Sequence, residues 1–123
     1  MTGQHPHPGG SKRIPLLSEV SAPRQVLVRL CQSVDYGQIL ELHVRVGEPV
    51  FNPAPLVLRD IKLDADYAGR PETELADFTL SAEVCRLLDR IDEIKAGRIQ
   101  RIEVRAGIPR RILIEAQLTE TAR

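Results

Sequence analysis

Apolar residues recur at helical spacing in two stretches of this chain, and at alternate positions directly after each stretch. In the first, Leu27, Leu30, Cys31 and Val34 fall at i, i+3, i+4 and i+7; in the second, Val84, Leu87, Leu88, Ile91 and Ile94 do nearly the same. Each spacing predicts an amphipathic helix with one buried face. Both helices open on a Ser-Ala pair, Ser21-Ala22 and Ser81-Ala82, a hydroxyl cap before a good helix former. Gly37 and Gly97 follow the last apolar helical residue by three, where a chain leaving a helix commonly needs a left-handed residue. Alternation then takes over. Leu40, Leu42, Val44 and Val46 are set against Glu41, His43 and Arg45, and Ile102 and Val104 against Arg101, Glu103 and Arg105, which predicts a strand with one core face and one wet face. Gly47 and Gly107 suit the positive φ of a three-residue hairpin loop with a bulge, and Pro49 and Pro109 fit a strand start or an edge. The second return strand is direct, Arg110 to Glu115, whereas Asn52-Pro53-Ala54-Pro55 interrupts the first before extended character resumes over Leu56 to Leu63.

These two stretches are one segment met twice, sixty positions apart. Ser21 to Pro49 lies over Ser81 to Pro109 without a gap, and nine of the 29 positions are identical: Ser21/Ser81, Ala22/Ala82, Leu27/Leu87, Gly37/Gly97, Ile39/Ile99, Val44/Val104, Arg45/Arg105, Gly47/Gly107 and Pro49/Pro109. Others exchange one apolar residue for another, so a folding pattern has been kept. A chain of 123 residues is long enough for one domain with a real core and too short for two ordinary ones. The expected fold is therefore α+β: an internally duplicated α-β-β unit giving an antiparallel sheet of four or five strands with both helices on one face. The expected organisation is a flexible N-terminal arm over 1–17, a single pseudo-symmetric domain over 18–118, and a C-terminal tail over 119–123. Within the domain, the first repeat covers about 21–63, an acidic connector 64–80, and the second repeat about 81–115.

The unit of helix, Gly-x-Ile, strand, Val-x-x-Gly-x-Pro and strand resembles a family of very short bacterial proteins known only as a domain of unknown function. Those proteins look like a single copy of what this chain carries twice. The resemblance covers Ser81 to Glu115 best and Ser21 to Pro49 less well, the Asn52 to Pro55 insertion departs from it, and it implies no activity.

Composition narrows the function classes. Formal charge is zero, with 17 basic and 17 acidic residues, so no global field draws the chain onto nucleic acid or an anionic membrane. Aromatics are 3% of the chain and Trp is absent, which leaves a core of Leu, Ile and Val and little for stacking on bases or planar cofactors. There is neither an apolar run of spanning length nor an apolar leader at the N-terminus, so a cytoplasmic protein is the expectation.

Catalytic sets are scarce. Cys31 and Cys85 are not equivalent in the repeat and fall in predicted helices, so reduced, buried thiols are expected. His43 points to the wet face and Cys31 to the buried one, which separates the obvious base from the obvious nucleophile. Asp64, Asp66, Gly69 and Glu74 approach a calcium loop, yet Ala68 and Leu75 stand where oxygen ligands are required. His5 and His7 alternate with Pro on the tail and make no metal site. The glycines are singletons in turns, not a phosphate loop. The expectation is a non-enzyme without cofactor or metal.

Arginine is the conspicuous polar residue. Arg45 and Arg105 hold matched positions before each turn, and Arg98, Arg101, Arg110 and Arg111 crowd the second hairpin. Such a set suits phosphates or an acidic protein surface; its bland alternative is pairing across strands with Glu41, Glu103 and Glu115. The leading expectation is a protein interaction or assembly module, an accessory subunit of a larger bacterial complex, that binds a protein partner or itself through sheet edges and through Ile14, Leu16 and Leu17 of the arm. The alternative is a small nucleic-acid-binding or regulatory protein using the Arg-rich hairpin, although no aromatic is placed on the open sheet face.

Overall fold

Two serines start the two helices. Ser21 Oγ accepts from the Arg24 amide at 3.4 Å and Ser81 Oγ from the Val84 amide at 3.1 Å, each satisfying one of the free N–H groups that open a helix. The computed structural model, which describes residues 13–64 and 75–115, runs α1 over Ala22–Val34 and α2 over Ala82–Ile94. The predicted apolar faces are the buried ones, with Leu27, Val28, Cys31 and Val34 inward on α1 and Val84, Leu87, Leu88 and Ile91 inward on α2.

Among the described residues, five strands form one antiparallel sheet: β1 (Gly37–Arg45), β2 (Glu48–Val50), β3 (Leu56–Arg59), β4 (Ala96–Arg105) and β5 (Ile108–Ile114). β1 and β4 lie side by side at the centre, β5 flanks β4, and β2 and β3 follow one another along the far side of β1. Both helices cover one face, because their apolar residues join Ile39, Leu42, Val44, Ile99, Ile102 and Val104 in a single core. The fold is thus α+β.

The central register has a symmetry of its own. Eight pairs run from Gly37↔Val104 to Arg45↔Ala96. Moving both members by sixty turns six of the eight into another of the set, so that Gly37↔Val104 becomes Val44↔Gly97 and Ile39↔Ile102 becomes Leu42↔Ile99. The matched segments therefore face each other about a pseudo-twofold axis. Each half also uses the other's free backbone groups. The Asp35 carbonyl, just past α1, accepts from the Gly107 amide at 2.8 Å, and the Lys95 carbonyl, just past α2, accepts from the Gly47 amide at 2.8 Å.

The chain leaves its helices and turns its hairpins differently from the sequence expectation. Asp35 (φ 64°) and Lys95 (φ 62°) take the left-handed position, ahead of the glycines. Across Asp35 the Tyr36 amide donates to the Val34 carbonyl at 2.7 Å, closing a γ-turn of the strained hand. The hairpin loops have two residues, not three. Val46-Gly47 (φ 54° and 69°) and Ala106-Gly107 (φ 56° and 75°) both have positive φ throughout, between the closing pairs Arg45↔Glu48 and Arg105↔Ile108. That is the mirror-image turn whose twist matches the strands it joins. Val46, expected on the core face, is 86% exposed at the turn. Glu41, at φ 61°, shifts the alternation, so that Ile39 is fully buried in place of the expected Leu40, which is half-buried.

The arm joins the domain sooner than expected. Leu17 is 3% exposed and belongs to the core, so it is unavailable to a partner, whereas Ile14 and Leu16 remain exposed. The Leu17 amide donates to the Phe78 carbonyl at 2.8 Å and the Leu80 amide to the Pro15 carbonyl at 3.0 Å. Asp77 accepts from the Ser18 hydroxyl at 2.6 Å and from the Ser18 amide at 2.9 Å, and these bonds hold its carboxyl below the usual range. A depressed folded value means that the contribution is present above the unfolded value and is lost as pH falls through the folded one. Acidification is therefore expected to release the Leu17 and Leu80 amides to hydrogen exchange before those of β1 and β4; simultaneous release would show that the clasp carries no separate stability. Expected residues 1–12 of the arm, the connector stretch 65–74 and the tail lie outside the described residues.

Candidate functional site

The face of the sheet opposite the helices carries several of the predicted site residues. Because Ile39, Leu42 and Val44 point inward, Gln38, Leu40, His43 and Arg45 occupy the open side of β1. Register then sets Leu56, Leu40, Arg101 and Leu113 in one row across β3, β1, β4 and β5, with Leu58, Gln38, Glu103 and Arg111 in the next. Leu56 is 57%, Leu58 45% and Leu113 38% exposed. This row of leucines was hidden in the sequence by the misplaced phase of β1 and by the broken return strand.

The arginine set divides. Arg98 Nε lies 3.0 Å from Glu41 and its Nη2 3.6 Å from Glu115, while Arg111 Nε lies 3.8 Å from Glu103. These are the cross-strand pairs of the bland alternative, exposed and worth about 0–1 kcal/mol each. Arg110 leaves the open face altogether and meets Glu83 of α2 at 3.0 Å. Arg45, Arg101 and Arg105 make no ion pair with a described residue; Arg45 and Arg105 are exposed and stand at opposite ends of the sheet centre, where the register separates them. The structure thus does not gather the six into one phosphate-sized cluster.

Sequence reasoning passed over Arg24. Its Nη2 donates to the Gly47 carbonyl at 2.7 Å and to Asp92 Oδ1 at 3.3 Å, tying α1 to a turn of its own half and to the helix of the other. Nε lies 3.3 Å from Glu48 Oε1, but its alignment does not make a hydrogen bond. At the equivalent places of the second half stand Val84, Ile108 and Gln32, so one flank of the axis is closed by charge and the other by apolar contact. Arg24→Ala is expected to cost about 1–3 kcal/mol in urea denaturation, since it strands the carbonyl of the buried Gly47. The double change Arg24→Val with Glu48→Ile, which copies the other flank, is expected to cost less; a larger loss would mean that the flanks are not interchangeable.

Cys31 is buried and its thiol is pushed up to about 12 by desolvation, which leaves it protonated and inert. His43 lies on the other face of the sheet, and no disulfide joins the two cysteines. Among the described residues no group of three or more His, Cys, Asp or Glu gathers to hold a metal, and no helix is long and apolar enough to cross a membrane. An open groove of about 520 Å³ at one end of the sheet brings Arg59 and Arg105 beside Asp60 and Glu103, a balance that selects neither anion nor cation.

No family model matches the chain, and neither a curated protein nor a solved structure is significantly similar to it.

Proposed function

We infer that this protein is a non-enzymatic interaction module whose open sheet face docks a protein partner. The observation that supports this reading is the apolar patch of Leu56, Leu58 and Leu40 on β3 and β1, with Leu113 beyond Arg101 in the same row, left part-exposed on a face where Arg98 and Arg111 are paired with carboxylates. Large exposed apolar side chains that adjoin across strands mark interaction surfaces more often than single ones do. The nucleic-acid reading loses support from the same geometry, because Arg98, Arg110 and Arg111 are paired with carboxylates and Arg110 faces the helices.

The test is affinity capture from native lysate, split into nuclease-treated and untreated halves, with wild type beside Leu56→Lys/Leu58→Lys. Both positions are exposed, so the pair is expected to fold. A stoichiometric protein retained after nuclease and lost with the lysine pair is the expected result. Recovery that vanishes with nuclease, or that ignores the lysine pair, sinks the reading and returns attention to the unpaired Arg45, Arg101 and Arg105.

A further inference from the structure

Arg101 lies part-buried in the middle of the open face, between Leu40 of β1 and Leu113 of β5. It makes neither an ion pair nor a side-chain hydrogen bond with a described residue. The pseudo-twofold relation shows what it lacks. Sixty positions separate Arg101 from Glu41 and Arg98 from Gln38, so the Arg98–Glu41 pair, at 3.0 Å, has Gln38 and Arg101 as its counterpart across the axis. A neutral amide cannot discharge a guanidinium. Glu103, further along the same strand and face, is engaged by Arg111 at 3.8 Å. A guanidinium set between leucines and left without an acceptor is suited to anchor an interface, because it donates to a carboxylate in a forked pair that the apolar neighbours shield from water.

What the face offers limits its occupant. The backbone groups of β1 and β4 are spent within the sheet, so only side chains are presented, and a layer that covers a sheet in this way is a helix or another sheet. A second copy of this chain is a poor occupant. Its Glu41, Glu103 and Glu115 already answer Arg98 and Arg111, so it brings no free carboxylate to Arg101 and places a second unpaired Arg101 in the same interface. A helix fits the row. Leu56, Leu40, Arg101 and Leu113 stand on four adjacent strands, which makes the row about 14 Å long. A helical stripe at i, i+4, i+7 and i+11 covers about 16 Å, so apolar residues on it meet the three leucines while its third position meets Arg101.

We propose that the open face takes an amphipathic helix of a partner protein whose apolar stripe carries one carboxylate, and that Arg101 selects that carboxylate. This rests on the interaction reading above and names the partner's chemistry. The probe is a fluorescent helical peptide of about four turns with Leu, Leu, Glu and Leu along one stripe, titrated against the full chain and followed by anisotropy. Two control peptides carry Gln or Lys in place of the Glu. The expected result is saturable binding of the Glu peptide, weakened about tenfold or more by either replacement. Arg101→Gln, at a residue with no described partner to lose, is expected to leave the circular dichroism unchanged and to erase the preference for Glu. Gln38→Glu, which offers Arg101 the partner that Glu41 gives Arg98, is expected to weaken the Glu peptide by a similar factor. Equal binding of the Glu and Gln peptides to wild type, or a preference that survives Arg101→Gln, overturns the proposal. Absence of binding overturns it too. A dimer of the chain alone in sedimentation, dissociated by Leu56→Lys/Leu58→Lys, gives the face to a second copy and has the same consequence. Where the Glu and Gln peptides bind alike and both are released by Leu56→Lys/Leu58→Lys, the face reading stands while the inference about Arg101 has failed.

Discussion

Gly37→Ala is expected to unfold the first half of the sheet, whereas Gly97→Ala, its counterpart sixty residues on, is expected to be tolerated. Both glycines hold the same unusual backbone, φ 156° and 158°, so both substitutions carry a strain of about 1–3 kcal/mol. What differs is the space in front of them. A Cβ on Gly37 lies 2.0 Å from the Leu58 carbonyl oxygen and 3.0 Å from the Arg59 Cα, because β3 pairs alongside that glycine, with Arg59 opposite it. A Cβ on Gly97 meets only the end of the Ile94 side chain, at 3.3 Å, which a small rotation relieves. To admit the methyl at 37, β3 must retreat by more than an ångström, and its pairing with Gly37, Gln38, Ile39 and Leu40 goes with it. At roughly 1 kcal/mol per hydrogen bond, plus the strain, the loss is about 3–5 kcal/mol for Gly37→Ala, against the strain alone for Gly97→Ala. Urea denaturation of the two variants reads the difference directly. Equal losses would show that strain at φ, not the adjoining strand, is what these glycines are kept for.

That contrast marks what the residues declared and what they concealed. Helical spacing at Leu27 to Val34 and Val84 to Ile94 was legible because burying one stripe of a helix is a local demand, repeated every turn and announced by Ser21 and Ser81. Strand phase was not. The break at Glu41 displaces the inward face by one residue, and nothing in Ile39-Leu40 distinguishes which of two apolar neighbours goes in. The glycine in each turn was seen, but its neighbour, Val46 or Ala106, was not expected to take positive φ, which a residue other than glycine seldom does and the β-branched Val46 least of all. The close approach at Gly37 was equally hidden, because it depends on where β3 rejoins β1 after the proline-bearing interruption.

The candidate site was legible in kind and not in place. Spacing along the chain put Arg98, Arg101, Arg110 and Arg111 within one hairpin, and the extra residue at Arg110, where the β4–β5 register shifts, turned that side chain toward Glu83. The carboxylates named as possible partners do pair with Arg98 and Arg111.

The second half of the chain, expressed alone, is expected to form a symmetric dimer, and the first half alone is expected to stay unfolded. Neither half has a complete core, since all eight central pairs and the bonds from Gly47 to Lys95 and from Gly107 to Asp35 cross between halves. Units of about 40 residues seldom fold without such support. The central register offers the second half a substitute, because the pseudo-twofold relation lets a second copy of β4 take the place of β1 with Gly97 opposite Val104 and Ile99 opposite Ile102. Charge favours it. In the intact chain Arg98 faces His43 and Glu103 faces Gln38, whereas in the self-pair each Arg98 faces a Glu103. The first half paired with itself sets Gln38 against His43 and gains nothing of the kind, and it also leaves Arg24 without Asp92. Mixing the halves should restore the native sheet. With about 5 kcal/mol of stability in the intact chain and an effective concentration near 1 mM, their dissociation constant is on the order of 0.1–1 µM. Sedimentation equilibrium with circular dichroism across a concentration series tests all three statements. A folded, monomeric second half would mean that one α-β-β unit closes its own core, and the cross-half bonds would then be a consequence of the fold and not its condition.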